Sequence, residues 1–580
     1  MSPGTISNCP QCGLRVGEVK EKPPSEDFLS LSRSNDPPVS AVEKIRMEYT
    51  ETLQTLETLD SHIDQLYASI ASFQAKRAPF EAKKRLYTSI LHPIRRLPPE
   101  ILSEIFLICT VTDRRNITFP NEDKNMRLAG SLNTCRMPWV LGQVCRNWRL
   151  VARSTTGLWT QVELSRMPAN LSQERAAWFE MVLDTQLQRC GERPLTIFYK
   201  IAARQERHLQ EQLLSLLCSR SSQWEHVFLE GNLRSFAPLS RCCGLVTSLK
   251  TLHIRFSEDD GRWVTDLNGS APFSVFEDIP SLERLAISGD TRVILQGDNQ
   301  LPWGRVVHYA SRESDNWWPD LNEHFQVLPR LQNVQTCALD VAFPNSPGLP
   351  SQPTLELRFL HTLVLAIPDG SGVDVVEPLL GWLVLPSLRI LRLPVGFHRP
   401  TALIGFLEGS RCSLEELTIL KVDNRIMDDF GDLVEVFKVE SLQGLLTLGV
   451  GGTRRPSETQ RDASDTIFKV LTFADNSEQL FLPKLRNLVL HGPNLSWSDE
   501  SLLNMVSSRR RLPSSAHGAC RLTHLVFWNI GERGSFLPIA SLDEFDALCE
   551  DGLTSFSAWG YIDWYDTENC ASEVLHIPGS

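Results

Sequence analysis

The chain has no apolar run of the 18 or so residues that a membrane span requires. Its first residues, MSPGTISNCPQCG, lack the apolar core of a signal peptide. Both absences predict a cytoplasmic or nuclear protein with no membrane partner. An excess of positive charge is missing as well: 58 basic residues stand against 70 acidic ones, a formal net charge of −12. Bulk binding to nucleic acid needs a basic face that displaces counterions, so no nucleic-acid partner is expected. The patterns G-x-x-x-x-G-K-[ST], H-E-x-x-H and G-x-S-x-G do not occur. GVGGTRRPSET, residues 449–459, is glycine-rich but lacks the lysine of a phosphate loop, and reads as a loop between repeats. The 13 histidines are scattered, without a nucleophile–base pairing. No catalytic residue, cofactor or metal site is therefore expected, and the chain is not read as an enzyme.

Cysteine is present without a disulfide pattern. The 14 cysteines fall mostly inside apolar segments such as LLSLLCSR, which fits buried free thiols in a reducing compartment. Cys9 and Cys12 have zinc-knuckle spacing, but a structural zinc site takes four ligands. The next cysteine is Cys109 and the first histidine is His62, so this is half a site. Hydrophobic residues make up 42% of the chain, enough for a sizeable core, and 580 residues imply several domains or one elongated array.

Residues 1–38 are rich in proline, serine and charge and are expected to form a disordered lead-in. Residues 39–78 contain neither proline nor glycine. Val42, Ile45, Tyr49, Leu56, Leu59, Ile63, Leu66, Ile70 and Phe73 recur at alternating three- and four-residue steps broken only by Thr52, the seam of a coiled helix. Ser40 with Glu43 suits a capping box at its start, Pro79 marks its end, and residues 80–91 form a connecting helix. The seam either pairs with another chain, giving a homodimer through 39–78, or folds back on residues 80–91 and the domain that follows.

Beyond residue 165 one phrase keeps returning, as in LERLAISG, LRILRLPV, LEELTILK and LRNLVLHG. Its first leucines are Leu249, Leu282, Leu331, Leu360, Leu388, Leu414, Leu445, Leu485 and Leu522, spaced by 26 to 49 residues. SQWEHVFLEG, with Trp224, Val227 and Leu229, reads as an earlier copy. A single short strand cannot bury its inward leucines, whereas stacked units bury them against one another. Segments between strands are long enough for helices; RHLQEQLLSLLCSR is one. The fold class that follows is α/β, with an irregular leucine-rich-repeat-like solenoid over residues 166–580. Trp317, Trp318, Trp559 and Trp564 lie in acidic, loop-like surroundings, as capping residues or recognition anchors.

The stretch IRRLPPEILSEIF (94–106) starts a helix at proline and places Glu100 at the positive end of its dipole. Ile101, Leu102, Ile105, Phe106 and Cys109 cover an arc of about 140°. After a polar insertion at about 113–136, Val140, Leu141, Val144, Cys145, Trp148 and Val151 make a second amphipathic helix. TTGLWTQVEL then ends it at a glycine and opens an extended segment through Leu158, Thr160, Val162 and Leu164.

The two phrases IRRLPPEILSEIF and VLGQVCRNWRLVARSTTGLW, in that order, resemble the F-box, a small all-helical adaptor-binding motif. The matching residues are Leu97, Pro98, Glu100, Ile101, Leu102, Ile105, Phe106, Val144, Cys145, Trp148, Leu158 and Trp159. The order of lead-in, coiled helix, F-box (92–165) and degenerate leucine-rich region resembles F-box-like proteins of mushroom-forming fungi. That resemblance implies a substrate receptor, in which these residues bind a Skp-type adaptor on a cullin complex and the repeats bind a protein target. Trp148 and Trp159 are the expected core residues; Leu97, Pro98, Ile101 and Ile105 are the expected contacts. The alternative is a non-catalytic scaffold that dimerises through its coiled helix and binds no adaptor.

Overall fold

Each leucine-rich phrase becomes one strand of a single parallel sheet. The computed structural model describes residues 7–8, 15–16, 39–111, 130–164, 172–200, 207–231, 233–256, 274–277, 279–289, 301–312, 319–342, 354–367, 376–393, 400–419, 435–451, 467–473, 481–491, 498–512, 518–528 and 543–558. The chain divides into two compact units, 1–98 and 99–580.

The first unit holds a short antiparallel pair, β1 (Ser7–Asn8) with β2 (Arg15–Val16), and the helix α1 (Val39–Leu91). The pair lies inside the stretch expected to lack order; Cys9 and Cys12 are outside the described residues. Helix α1 corrects two boundaries. Ser40 lies within its first turn rather than capping it, and Pro79 lies inside a continuous helix of 53 residues. Proline removes one backbone donor, and the carbonyl it strands, at Ala75, is on an exposed stretch open to solvent. With Pro79 passed, the seam runs on: Phe80 and Tyr87 fall seven and fourteen residues after Phe73. Thr50, Thr52, Thr55 and Thr58 each donate to the carbonyl four residues back, which satisfies their hydroxyls within the helix. A 3-10 turn, Pro93–Arg96, follows, capped by the His92 ring.

The second unit opens with α2 (Pro99–Val111), α3 (Leu141–Val144) and α4 (Arg146–Ser154). The expected single helix through Cys145 is in fact two. Cys145 is extended (φ −159°, ψ 173°), and its Sγ accepts from the Trp148 N–H, which makes it the N-cap of α4. Residues Thr156–Trp159 form a 3-10 turn rather than an extended run.

Then come β3 (Gln161–Leu164), β4 (Leu195–Lys200), β5 (Trp224–Gly231), β6 (Thr251–Phe256), β7 (Arg284–Ser288), β8 (His308–Arg312) and β9 (Thr336–Asp340). A two-residue parallel pair, β10 (Leu355–Glu356) with β12 (Leu383–Val384), stands apart from the main sheet. The main sheet continues with β11 (Thr362–Ala366), β13 (Ile390–Leu393), β14 (Glu416–Ile419) and β15 (Thr447–Gly451). It closes with β16 (Asn487–His491), β17 (His524–Trp528) and β18 (Thr554–Ala558). These form a 14-stranded sheet in chain order, each described neighbour parallel, with helices such as Arg207–Cys218, Pro400–Ser410 and Asp499–Arg510 between strands. The architecture is an α/β solenoid with leucine-rich-repeat-like units.

Register explains the leucines. Leu363, Leu391, Leu417, Leu448, Leu488 and Leu525 stand directly opposite one another along the sheet, and all are sealed from solvent. Fully burying each such side chain contributes roughly 1.5–3 kcal/mol. The nine phrase-opening leucines are buried too, eight of them two residues ahead of their strand. In the remaining repeat Val334 holds that place and Leu331 packs three residues earlier. Trp317, Trp318, Trp559 and Trp564, and most of 449–459, lie outside the described residues.

The last residues of the predicted insertion are structural. Gly130 bridges antiparallel to Leu164, the Ser131 N–H donates to the Glu163 carbonyl at 2.9 Å, and the Glu163 N–H donates to Ser131 Oγ at 2.9 Å. This cover closes the open edge of β3. Only glycine fits at 130: φ is +104°, and a Cβ there would stand 2.5 Å from the Glu163 carbonyl oxygen.

Candidate protein-docking face

Helix α2 divides its apolar residues between two directions. Leu102 and Phe106 are 0% and 1% exposed, and the Phe106 ring packs on Trp148 at 4.9 Å. Ile101 and Ile108 are 49% and 65% exposed, with Ile105 half-buried between them. Positions 101, 105 and 108 fall within about 60° of one another on a helix, so they form one stripe. The wide apolar arc is therefore split: one edge holds the helix to its neighbours and the other meets solvent. Glu100 sits in the first turn and is exposed.

The neighbouring helices repeat the division. Leu141, Val151 and Ala152 are buried, while Val144 and Leu150 are 57% and 58% exposed. Cys145 and Trp148 are half-buried. Arg146, Arg149 and Arg153 are exposed along α4, so its open apolar residues are set among positive charges. Arg149 is also fixed locally, donating from Nε to the Gly142 carbonyl at 2.7 Å.

Leu158 and Trp159 are buried, as the core reading of Trp159 anticipated. Trp159 Nε1 donates to the Ala152 carbonyl at 2.8 Å, and its ring meets Trp139 edge-on at 4.9 Å. The Arg189 guanidinium, from the helix Gln173–Cys190, lies over both rings at 4.7 and 4.5 Å. Gln186 of the same helix donates to the Gln161 carbonyl at 2.6 Å. These contacts fasten α4 to the start of the solenoid. Leu97 is half-buried and Pro98 exposed, both at the end of the first compact unit.

Three exposed apolar residues escaped the sequence reading of the contacts: Ile108, Leu150 and Met137. Ile108 follows Ile101 by seven residues and was legible as a continuation of its stripe. Leu150 lies outside the apolar arc of its helix, and no periodic signal marks it.

The solenoid carries a second surface. On the face away from the leucine ladder, side chains of neighbouring strands are joined by hydrogen bonds. His226 meets Thr251 at 3.0 Å, His253 meets Ser288 at 3.1 Å, and His308 meets Thr336 at 2.7 Å. Arg392 pairs with Glu416 at 2.7 Å, and Asn487 donates to Thr447 Oγ1 at 2.9 Å. Burial, aided by Arg312 and Arg255, depresses His253 to about 3, and burial lowers His226 as well. Both shifts favour the neutral ring, so His226 and His253 act here through hydrogen bonds.

Among the described residues no cluster of three or more His, Cys, Asp or Glu could hold a metal ion, and no helix is long and apolar enough to cross a membrane. Cys190, Cys218, Cys242, Cys337 and Cys412 are buried free thiols, and burial raises the Cys337 and Cys412 thiols above their usual range. No protein family model matches the chain, and no curated protein matches it either.

Proposed function

We propose that this chain is the substrate-recognition subunit of a Skp-cullin-F-box-type ubiquitin ligase, with the helical region on the adaptor and the solenoid on a protein target. The reading rests on the F-box resemblance, and the observation that carries it is the split on α2. Leu102 and Phe106 are spent on the fold, yet the Ile101–Ile105–Ile108 stripe stays open. A few apolar anchors of this size dominate an interface when a partner seals them. The arginines along α4 suit an adaptor surface that is acidic around its apolar groove. Leu102, Phe106, Leu158 and Trp159 act as supports in this reading, and the contacts are the exposed set. Ubiquitin transfer belongs to other subunits, so this chain supplies position and no chemistry. Target selection falls to the hydrogen-bonded strand face.

The test is capture of a purified Skp-type adaptor by the full-length chain. Binding is expected, with a loss of more than about tenfold for Ile101→Asp with Ile108→Asp, since each anchor is worth on the order of 2 kcal/mol. Leu97→Asp with Ile101→Asp is expected to do the same. The thermal transition of the solenoid should be unchanged in both. Adaptor retained by these variants, or ignored by the native chain, defeats the proposal. The second reading, a dimeric scaffold without adaptor binding, draws on a different observation: most of the α1 seam from Tyr49 to Tyr87 is exposed.

A further inference from the structure

We infer that α1 is half of an antiparallel coiled coil whose other half is α1 of a second copy of this chain, aligned end to end about a two-fold axis between Asp64 and Gln65. This goes beyond the receptor reading and does not rest on it. The helix is about 80 Å long at 1.5 Å per residue, and seam residues from Tyr49 to Tyr87 are exposed with few exceptions. An apolar seam of that length needs a partner with the same repeat over the same span, and α1 itself has both.

Orientation follows from what breaks the seam. Arg77 and Lys84 occupy seam positions, seven and fourteen residues after Ile70. In a parallel, in-register pair Arg77 would face Arg77 and Lys84 would face Lys84, two like-charge layers in an apolar interface. Reversing one helix removes both. Arg77 then lies opposite Thr52 of the second copy, whose hydroxyl already donates to its own Glu48 carbonyl at 2.7 Å. Lys84 lies opposite Ile45, and each cation can reach outward past its smaller neighbour. Arg77 already does so, meeting Glu81 at 2.7 Å on the solvent side.

Register follows from the flanking charges. With the axis at 64/65, Ile63 meets Leu66 of the second copy at the centre, and Glu48 flanks Lys76 of the second copy twice by symmetry. No flanking pair carries like charges. Sliding one heptad in one direction brings Asp60 against Glu81; sliding the other way leaves residues 84–91 of both helices unpaired. The chosen alignment alone uses the full length without repulsion.

Light scattering on the full-length chain at micromolar concentration is expected to give twice the 65.5 kDa of one copy. Ile63→Asp with Leu66→Asp should give the single mass, and Ser61→Asp with Ala68→Asp, on the opposite side of the helix, should stay dimeric. Amine cross-linking should join Lys44 to Lys83 or Lys84. These lie about 60 Å apart on one helix, so the link forms only between antiparallel copies. Glu48→Lys should weaken the dimer about fivefold, as expected for two exposed charge pairs, and adding Lys76→Glu should restore it. A native chain of single mass, a dimer that survives the central Asp pair, a dimer without the Lys44 link, or no rescue by the second charge change overturns the inference.

Discussion

Helix α1 and the solenoid are both built on strictly periodic apolar residues, yet one leaves them open and the other seals them. In the solenoid the neighbour that buries Leu417 is Leu448, 31 residues along the same chain and locked opposite by parallel register. In α1 the period is 3.5 rather than 2, and no described element of its own unit covers Leu56, Ile63 or Ile70. Periodicity says that a face must be covered; whether the cover comes from the same chain depends on whether the pattern is repeated downstream. Strands that recur in sequence supply their own partners. A helix that occurs once does not. Helix α2 lies between these limits, with one edge buried and one open.

That contrast can be broken most forcefully in the ladder. Leu448→Ala should cost about 2–5 kcal/mol, because the stacked neighbours cannot collapse into the gap. Leu66→Ala in α1 should leave the solenoid's unfolding transition where it is. Equilibrium denaturation of both variants, followed by tryptophan fluorescence, measures the difference, and equal losses would erase the distinction.

The next largest effect falls on Arg509, sealed in the last repeats. Its guanidinium donates to the carbonyls of Leu471, Leu482 and Phe481 at 2.7, 2.9 and 2.5 Å. Arg510 beside it reaches the Leu522 carbonyl and both the carbonyl and the carboxylate of Asp551. One helix end thus ties several consecutive units together with charge-assisted hydrogen bonds. Burial lowers Arg509 to about 10, still well above physiological pH, so it remains charged. Arg509→Met should destabilise by about 3 kcal/mol or more, since it removes charge-assisted donors from the buried Leu471 and Leu482 carbonyls and the half-buried Phe481 carbonyl. A loss no larger than that of a surface substitution would count against the staple.

A milder effect is set by pH. Half-buried His253 and buried His324 are held neutral, at about 3 and about 4 against an ordinary value of 6.5. Burial is the main cause for both, and His324 also bonds the Asp340 carbonyl at 2.9 Å. Below pH 6.5 the unfolded chain takes up protons that the folded chain refuses, which favours unfolding. Stability from these rings should be complete above pH 6.5 and decline steadily toward pH 3. Thermal melts of His253→Gln, compared with the native chain across that range, should show a shallower decline.

The smallest change in stability is expected at the docking stripe. Ile101→Asp should move the melting transition by no more than an ordinary surface substitution, about 0.5 kcal/mol. A large loss would mean that Ile101 belongs with Leu102 in the core.

Much of the array could be read in advance because a leucine at a fixed distance before a strand leaves a countable mark. Where the ladder position is filled by another residue, the mark is lost. Strand β4 uses Leu195, Ile197 and Tyr199, and β8 presents Tyr309 and Ser311, so neither shows the phrase. In β9 Val334 takes the leucine's place, which shifted the reading onto Leu331. The break at Cys145 left no warning, since a cysteine serving as an N-cap through its sulfur is uncommon. At the docking face the arc was visible and Ile101 and Ile105 stood out as its contacts, but the burial of Leu102 and Phe106 was not legible.

What the sequence determined alone was therefore period and repetition: a 3.5-residue seam in one long helix, and a 2-residue alternation recurring along the chain. Both arise from backbone geometry, which places side chains at fixed angles whatever surrounds them. Only the tertiary structure decided which apolar residues find a cover, because that depends on neighbours brought together from distant positions. Gly130 meeting Glu163, and Arg189 lying over Trp139 and Trp159, are contacts of that kind.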